Sequence, residues 1–379
     1  MKAINCLLWE CLAIVPSALM AQTTNSQPNI VLILADDMGR ECLGCYGSTY
    51  HTPNLDRLSE IGVRFDNCFS QPLSTPSRVQ LMTGKYNNKN YSRFGHLNQT
   101  EKTFAHLAKD AGLRLGIRGS IAVNERMETS VPDIYAVGDA VEVTHFVTGQ
   151  KALISLAGPT NKQGRIAADN ICGGNSRFHG SQGSSVLKLF GLTAASTGIN
   201  EKAAQAAGIT YDKVVLFPAS HATYYPGAQS MAMKVLYEKE SLRLLGAQIV
   251  GGDGVDKRID VLATAIRAKM TALELTELDL SYAPPYSSAK DPVNMAGFMI
   301  EDLESEKVQQ FHWNEVEDLP CDGSATLLDV RTAWEYQRGH LDGFRNIPLD
   351  DLREYLDELD RGKPVYVNCQ TGLRSYLAC

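Results

Sequence analysis

The chain has 379 residues, room for roughly two or three domains. Apolar residues make up 44% and charged residues 21%, the balance of a soluble globular protein, and a net charge of −7 removes any general attraction for nucleic acid or an anionic membrane. Nine cysteines over this length do not form a disulfide framework and are expected to be mostly free thiols.

Met1 and Lys2 precede an apolar run, AINCLLWECLAIVPSALMA, which closes on small residues before polar QTTNSQ. A positive end, an apolar core and small residues at the exit form the pattern of a secretory signal peptide over 1–21, which predicts export to a periplasm. A buried N-terminal helix is the alternative, but the run is not amphipathic. It is short and contains Glu10, so no stable membrane anchor is expected.

NIVLILADDMG follows, an apolar strand from Ile30 to Leu34 that runs into Asp36 and Asp37. Two adjacent carboxylates at a strand's end repel unless a cation lies between them, and oxygen ligands suit calcium or magnesium. A helix cap plus a solvated acid is the competing reading. CLGC, from Cys42 to Cys45, has redox or zinc spacing but no second pair, so a turn into a helix explains it. TPNLDRLSEIGVRFDNCF is an amphipathic helix stopping at Gly62, then a strand, and TFAHLAKDAG is a helix stopping at Gly112.

Between them stands LSTPSRVQLMTGKY. Ser74, Pro76, Ser77 and Arg78, with Leu81, Thr83, Gly84 and Lys85, resemble the signature of the type I sulfatases. That resemblance implies that a maturase oxidises Ser74 to formylglycine, that Asp36 and Asp37 hold calcium, and that Arg78 steadies the hydrate that attacks the sulfate ester. A metal would lower the pKa of the attacking hydroxyl and neutralise charge on the sulfate oxygens. The resemblance spans 22–112 and stops. The later metal ligands and histidines of that family do not follow, so the calcium site is a half-site.

After Gly112 the chain changes character. TSVPDIYAVGDA suggests a strand from Ile134 to Val137 ending in Gly138 and Asp139, a position that suits a ligand in an open α/β sheet. Thr129, Pro132, Ile134, Tyr135, Ala136, Gly138 and Asp139 resemble a motif of flavin-dependent pyridine nucleotide-disulfide oxidoreductases. In that family the acid binds FAD, and the helix of LAGPTNKQGRIAADNICGG would point its N-terminus at the flavin ring. The SSVLKLFGLTAASTGINEKAAQAAG stretch and the hairpin MAMKVLYEKESLRLLGAQIVG resemble the dimerisation domain of these enzymes, which implies a homodimer through 175–300. GGDGVDKR lacks dinucleotide-loop spacing and reads as the exit from that hairpin.

SHATYYPGA and SYAPPYSSAKDPVNMAG resemble coenzyme A-disulfide reductases in particular. There Tyr224 and Tyr282 would reach the partner subunit's site and support sulfur chemistry on a coenzyme A thiol. From the residues alone, each tyrosine reads as a packed turn aromatic, and only the family resemblance reverses that. From 309 to 379, ATLLDVRTAWEYQRGHLDGFRNIPL and KPVYVNCQTGLRS resemble a rhodanese domain, truncated after its loop. Loop N–H groups after Cys369 can cradle an anion and lower its thiol pKa, and Arg374 adds charge of the right sign. A buried structural cysteine is the alternative.

The expected fold is a run of α/β pieces. They are the start of a sulfatase-like sheet (22–112), the second half of an FAD-binding domain (113–174) and a truncated rhodanese domain (309–379), with an α+β dimerisation domain (175–300) between the last two. No Gly-x-Gly-x-x-Gly occurs, because Gly112, Gly116 and Gly119 have the wrong spacing. The FAD site is therefore also a half-site, and the NAD(P)H domain that the family implies is absent. The exported front conflicts with a rear that resembles a cytoplasmic enzyme, so the chain reads as a chimera joined near 112–113. Three functions follow. The first is an impaired coenzyme A-disulfide reductase with a rhodanese tail, acting on coenzyme A-type or sulfane-sulfur substrates. The second is an incomplete sulfatase acting on sulfated glycans, and the third a non-catalytic dimeric chimera.

Overall fold

The computed structural model describes residues 5 and 6 and residues 30–379, apart from 32, 36, 37, 92, 94, 95, 99 and 111. Most of the signal segment and the Asp36–Asp37 pair lie outside the described residues. The chain divides into two units, 1–115 and 116–379.

In the first unit, β1 (Asn5–Cys6) pairs in parallel with β2 (Ile30–Val31), shorter than the strand expected through Leu34. The Cys42–Cys45 stretch forms two 3₁₀ turns, Arg40–Cys42 and Gly44–Tyr46. The second is knitted to α1 (Pro53–Ile61), where Asp56 accepts from the Cys45 N–H (2.7 Å) and from the Thr52 hydroxyl (3.0 Å). Proline at the first helical position starts α1 without losing a hydrogen bond, and Gly62 ends it as expected. No strand forms between Gly62 and Leu73; Val63 and Phe69 are largely exposed there, so nothing apolar rewards extended pairing. Then come α2 (Ser74–Thr83), ended by Gly84 at φ +64°, α3 (Asn87–Asn90) and α4 (Phe104–Asp110). Among the described residues of this unit, Val79 and Leu113 are the buried apolar side chains, a small core for its length.

The second unit begins with β3 (Ile121–Ala122), parallel to β4 (Val141–Thr144), which pairs antiparallel with β5 (Lys151–Ala152). Helix α5 (Ala157–Ile171) packs on them through Ala167 against Val123, Met127, Val141 and Val143. The strand expected over Ile134–Val137 reduces to one bridge, Glu128 to Tyr135, because Gly138 turns the chain at φ +77° into a 3₁₀ turn.

Next comes a five-stranded antiparallel sheet in the order β6-β7-β10-β9-β8. Its strands are β6 (Ser185–Leu189), β7 (Leu192–Gly198), β8 (Tyr211–Leu216), β9 (Met231–Glu238) and β10 (Leu244–Gly251). A bulge at Leu244–Gly246 brings two backbones together: a Cβ on Gly246 would lie 1.9 Å from the Ile199 carbonyl oxygen, so only glycine fits. One face of the sheet carries the core, Met231, Met233, Val235 and Ile249, under α7 (Val255–Arg267) and α8 (Pro292–Glu304). Buried Val255, Ile259, Leu262 and Ile266 recur at helical spacing on α7, the stripe that seats it. On the other face Leu236 and Leu245 meet Ile199 and Ala204 of α6 (Glu201–Ala206) and its lead-in.

The chain closes with a three-stranded parallel sheet in the order β12-β11-β13. Its elements are β11 (Thr326–Asp329), α9 (Ala333–Gln337), β12 (Arg345–Asn346), β13 (Val365–Asn368) and α10 (Leu373–Ala378). No helix among the described residues is long and apolar enough to cross a membrane.

Candidate functional site

Cys369 follows β13, at the carboxyl end of the small parallel sheet, where a loop turns into α10. Gly372 at φ +90° folds this loop so that successive N–H groups face inward. The Sγ accepts from the N–H of Gly372 (3.1 Å) and of Ser375 (3.4 Å). Burial pushes the thiol's pKa up, but the Ser375 hydroxyl and the N–H groups of Ser375, Thr371 and Gly372 outweigh it and hold the pKa below the usual value. A half-buried thiol stabilised as its anion is a nucleophile.

Arg374 is engaged differently from the expectation. Its guanidinium makes two bonds to Glu335, at 2.7 and 2.8 Å, so its charge is neutralised rather than aimed freely at the thiolate. Arg374 first, and then Thr332, hold the Glu335 carboxyl far below the usual carboxylate range. Thr332 and Glu335 cap α9 reciprocally, so the bridge ties the Cys369 loop to the start of α9. Beneath it, fully buried Asp329 holds Arg331 at 2.7 Å, and Arg331 reaches the Gly339 carbonyl.

Tyr224 and Tyr282, 58 residues apart in sequence, meet hydroxyl to hydroxyl at 2.8 Å. Both are exposed, and the hydrogen bond that the Tyr282 phenol shares with Tyr224 raises it above its usual pKa. Sequence reasoning missed what holds them. Arg258, 1% exposed, lies under both tyrosine loops and pairs with Asp291, 3% exposed, at 3.0 Å. The Asp-Pro start of α8 was a legible cap, and Asp291 does accept the Val293 N–H (3.0 Å); its second role was not legible.

The Gly138–Asp139 turn packs against α5. A Cβ at Gly138 would lie 3.1 Å from Thr160, and the Gly138 N–H donates to the buried Gln163 side chain at 2.7 Å. Asp139 is exposed beside it. These residues do not fit FAD by themselves. At Gly116, in the glycine cluster before β3, the Glu142 carboxylate takes the Ile117 N–H (2.8 Å) and fills the space a Cβ would use. In the first unit, exposed Ser74 opens α2, with half-buried Arg78 one turn later on the same helix. Lys85 of the same motif pairs with Glu101 at 2.6 Å. Among the described residues no group of three His, Cys, Asp or Glu side chains could hold a metal ion; Asp36 and Asp37 lie outside them.

Three family patterns match the chain. They are Sulfatase over 28–165, the pyridine nucleotide-disulphide oxidoreductase dimerisation domain over 185–292, and the Rhodanese-like domain over 312–379. The chain is thus a composite of a sulfatase-type segment, a disulfide-oxidoreductase dimerisation domain and a rhodanese-like domain. Its relatives include the coenzyme A disulfide reductase of Staphylococcus haemolyticus, 38% identical over 52% of this chain and 44% of that one. The NADH oxidase of Methanocaldococcus jannaschii is 38% identical over 50% and 42%. Among solved structures, the reduced Bacillus anthracis CoADR-RHD is 49% identical at a TM-score of 0.69, covering 72% of this chain and 49% of that one. A NAD-dependent persulfide reductase from A. fulgidus is 42% identical at 0.66, over the same shares. The first unit holds only residues 1–115, so a match over 72% draws mainly on the second. The chain spans about half the length of these relatives.

Proposed function

We propose that the chain is the dimerising, sulfur-handling half of a coenzyme A-disulfide or persulfide reductase, impaired in the flavin-dependent step. The observation that carries this is the ring of donors around the Cys369 Sγ, which favours its thiolate. The thiolate attacks a sulfane sulfur; with thiosulfate, the sulfur–sulfur bond breaks, sulfite leaves and Cys369 carries a persulfide. The Tyr224–Tyr282 pair would serve a thiol of coenzyme A type in the partner subunit's site, through a homodimer formed over 175–300. The exposed apolar edge of β6, with Val186, Leu187 and Leu189, supports a surface covered by a second copy. FAD and NAD(P)H belong to the family resemblance, and no Gly-x-Gly-x-x-Gly occurs in this chain to cradle a pyrophosphate.

The test is thiosulfate sulfurtransferase activity, read as the sulfite released from thiosulfate and the thiocyanate formed when the persulfide's outer sulfur passes to cyanide. Activity lost in Cys369→Ser supports the reading; an unchanged rate in that variant, or none in the native chain, sinks it.

A second reading keeps sulfate-ester hydrolysis at Ser74, supported by the sulfatase match and by Ser74 and Arg78 sharing a helix. It requires a maturase, and mass spectrometry of the peptide carrying Ser74 after co-expression with one tests it. The division of the units at Leu115–Gly116 supports a join there, while the sulfatase match, running to 165, supports a later one.

A further inference from the structure

The two tyrosines sit on separate loops: Tyr224 between β8 and β9, Tyr282 in the stretch leading to α8. Neither loop has regular structure to fix it, yet the hydroxyls meet at 2.8 Å. What joins the loops lies beneath. Arg258 rises from α7 and its Nη2 donates to a carbonyl on each side, Ser220 at 2.9 Å and Tyr286 at 3.3 Å, and to the Ser287 hydroxyl at 3.1 Å. Ser287 in turn donates to Asp291 at 2.7 Å, and the Ala222 N–H donates to the Ser287 carbonyl at 3.0 Å, a direct strap between loops. Lys257, next on α7, pairs with Asp291 at 3.7 Å and reaches the Ser281 carbonyl at 3.4 Å, one residue from Tyr282.

A buried arginine is unusual unless its charge is paired and its donors are used. Here the carboxylate neutralises it, and the planar guanidinium reads carbonyls that lie in fixed directions. A lysine, with a point charge on a flexible stem, keeps the ion pair but loses that fork. We infer that the Arg258–Asp291 pair is a positioning device that sets the separation of the two tyrosine loops and so makes the Tyr224–Tyr282 hydrogen bond. The use of the pair in thiol chemistry rests on the function proposed above; the positioning does not.

The full chain labelled with 3-fluorotyrosine, observed by ¹⁹F NMR, tests this. Tyr282→Phe assigns the Tyr282 resonance, and Tyr224→Phe gives its position with the contact broken. In Arg258→Lys the Tyr282 resonance is expected to move to its Tyr224→Phe position and to titrate at the lower pH seen there, while the Tyr211 resonance stays in place. If Arg258→Lys does not fold, Arg258→Met combined with Asp291→Leu removes both charges and is read in the same way. A Tyr282 resonance and titration unmoved in the folded variant, or unmoved by Tyr224→Phe, overturns the inference. A response to Arg258 together with no response of either phenol to added coenzyme A disulfide leaves the device standing and sinks the thiol role.

Discussion

Glu201 offers the clearest quantitative test of how the second unit is held. It opens α6, and its carboxylate takes Lys213 of β8 at 2.5 Å and Lys234 of β9 at 2.6 Å, joining helix to sheet. Burial pushes its pKa up, but the two lysines' hydrogen bonds and charges bring it from 4.5 down to about 2. At full strength a shift of this size corresponds to about 3 kcal/mol. With a quarter of the carboxylate open to solvent (24%), screening reduces this to about 1–2 kcal/mol. Because the folded pKa lies below the unfolded one, the stabilisation is complete above about pH 4.5 and fades as the pH falls toward 2. Glu201→Gln should therefore lower the urea midpoint at pH 7 and match the native chain near pH 2. Far-ultraviolet circular dichroism is a suitable signal, since the two ion pairs join a helix to the sheet. An equal deficit at both pH values would show that the effect is packing and refute the electrostatic reasoning.

Iodoacetamide alkylation of Cys369 should reach half its maximal rate below the usual thiol value of about 8.5, and Ser375→Ala should move that midpoint up; a midpoint at or above the usual value counts against the loop's donors. Glu335→Gln should free Arg374 to face the thiolate and shift the same midpoint further down, whereas no shift would mean that Glu335 does not neutralise it. Gly198→Ala places a Cβ 2.2 Å from the Leu245 carbonyl oxygen at φ +70°, so it should cost well over 1 kcal/mol in thermal unfolding. Gly84→Ala, also at positive φ but in open space, should cost less; equal losses would rule out the backbone clash as the cause.

The features that the chain announces by itself are the ones that depend on neighbours in sequence. Proline at the start of α1, Gly62 and Gly84 at helix ends, and the glycine-bearing turn after Cys369 are each set by a few adjacent residues, and the structure carries all of them. The family patterns are local in the same sense, and all three segments were legible from motifs. What only the tertiary structure decided is which distant groups share a space. Nothing in VDKR says that Arg258 will be buried, because its burial depends on two loops, one before and one after it, presenting carbonyls to the same point. Nothing in TGLRS says that Arg374 will be neutralised 39 residues back by Glu335. The strand expected over Ile134–Val137 failed for the same reason. An apolar run becomes a strand only where a neighbour offers a complete ladder, and one bridge at Tyr135 is all that this neighbourhood supplies. Periodicity and caps are short-range physics written along the chain; pairing of charges and ladders is long-range, and exists only once the chain has folded.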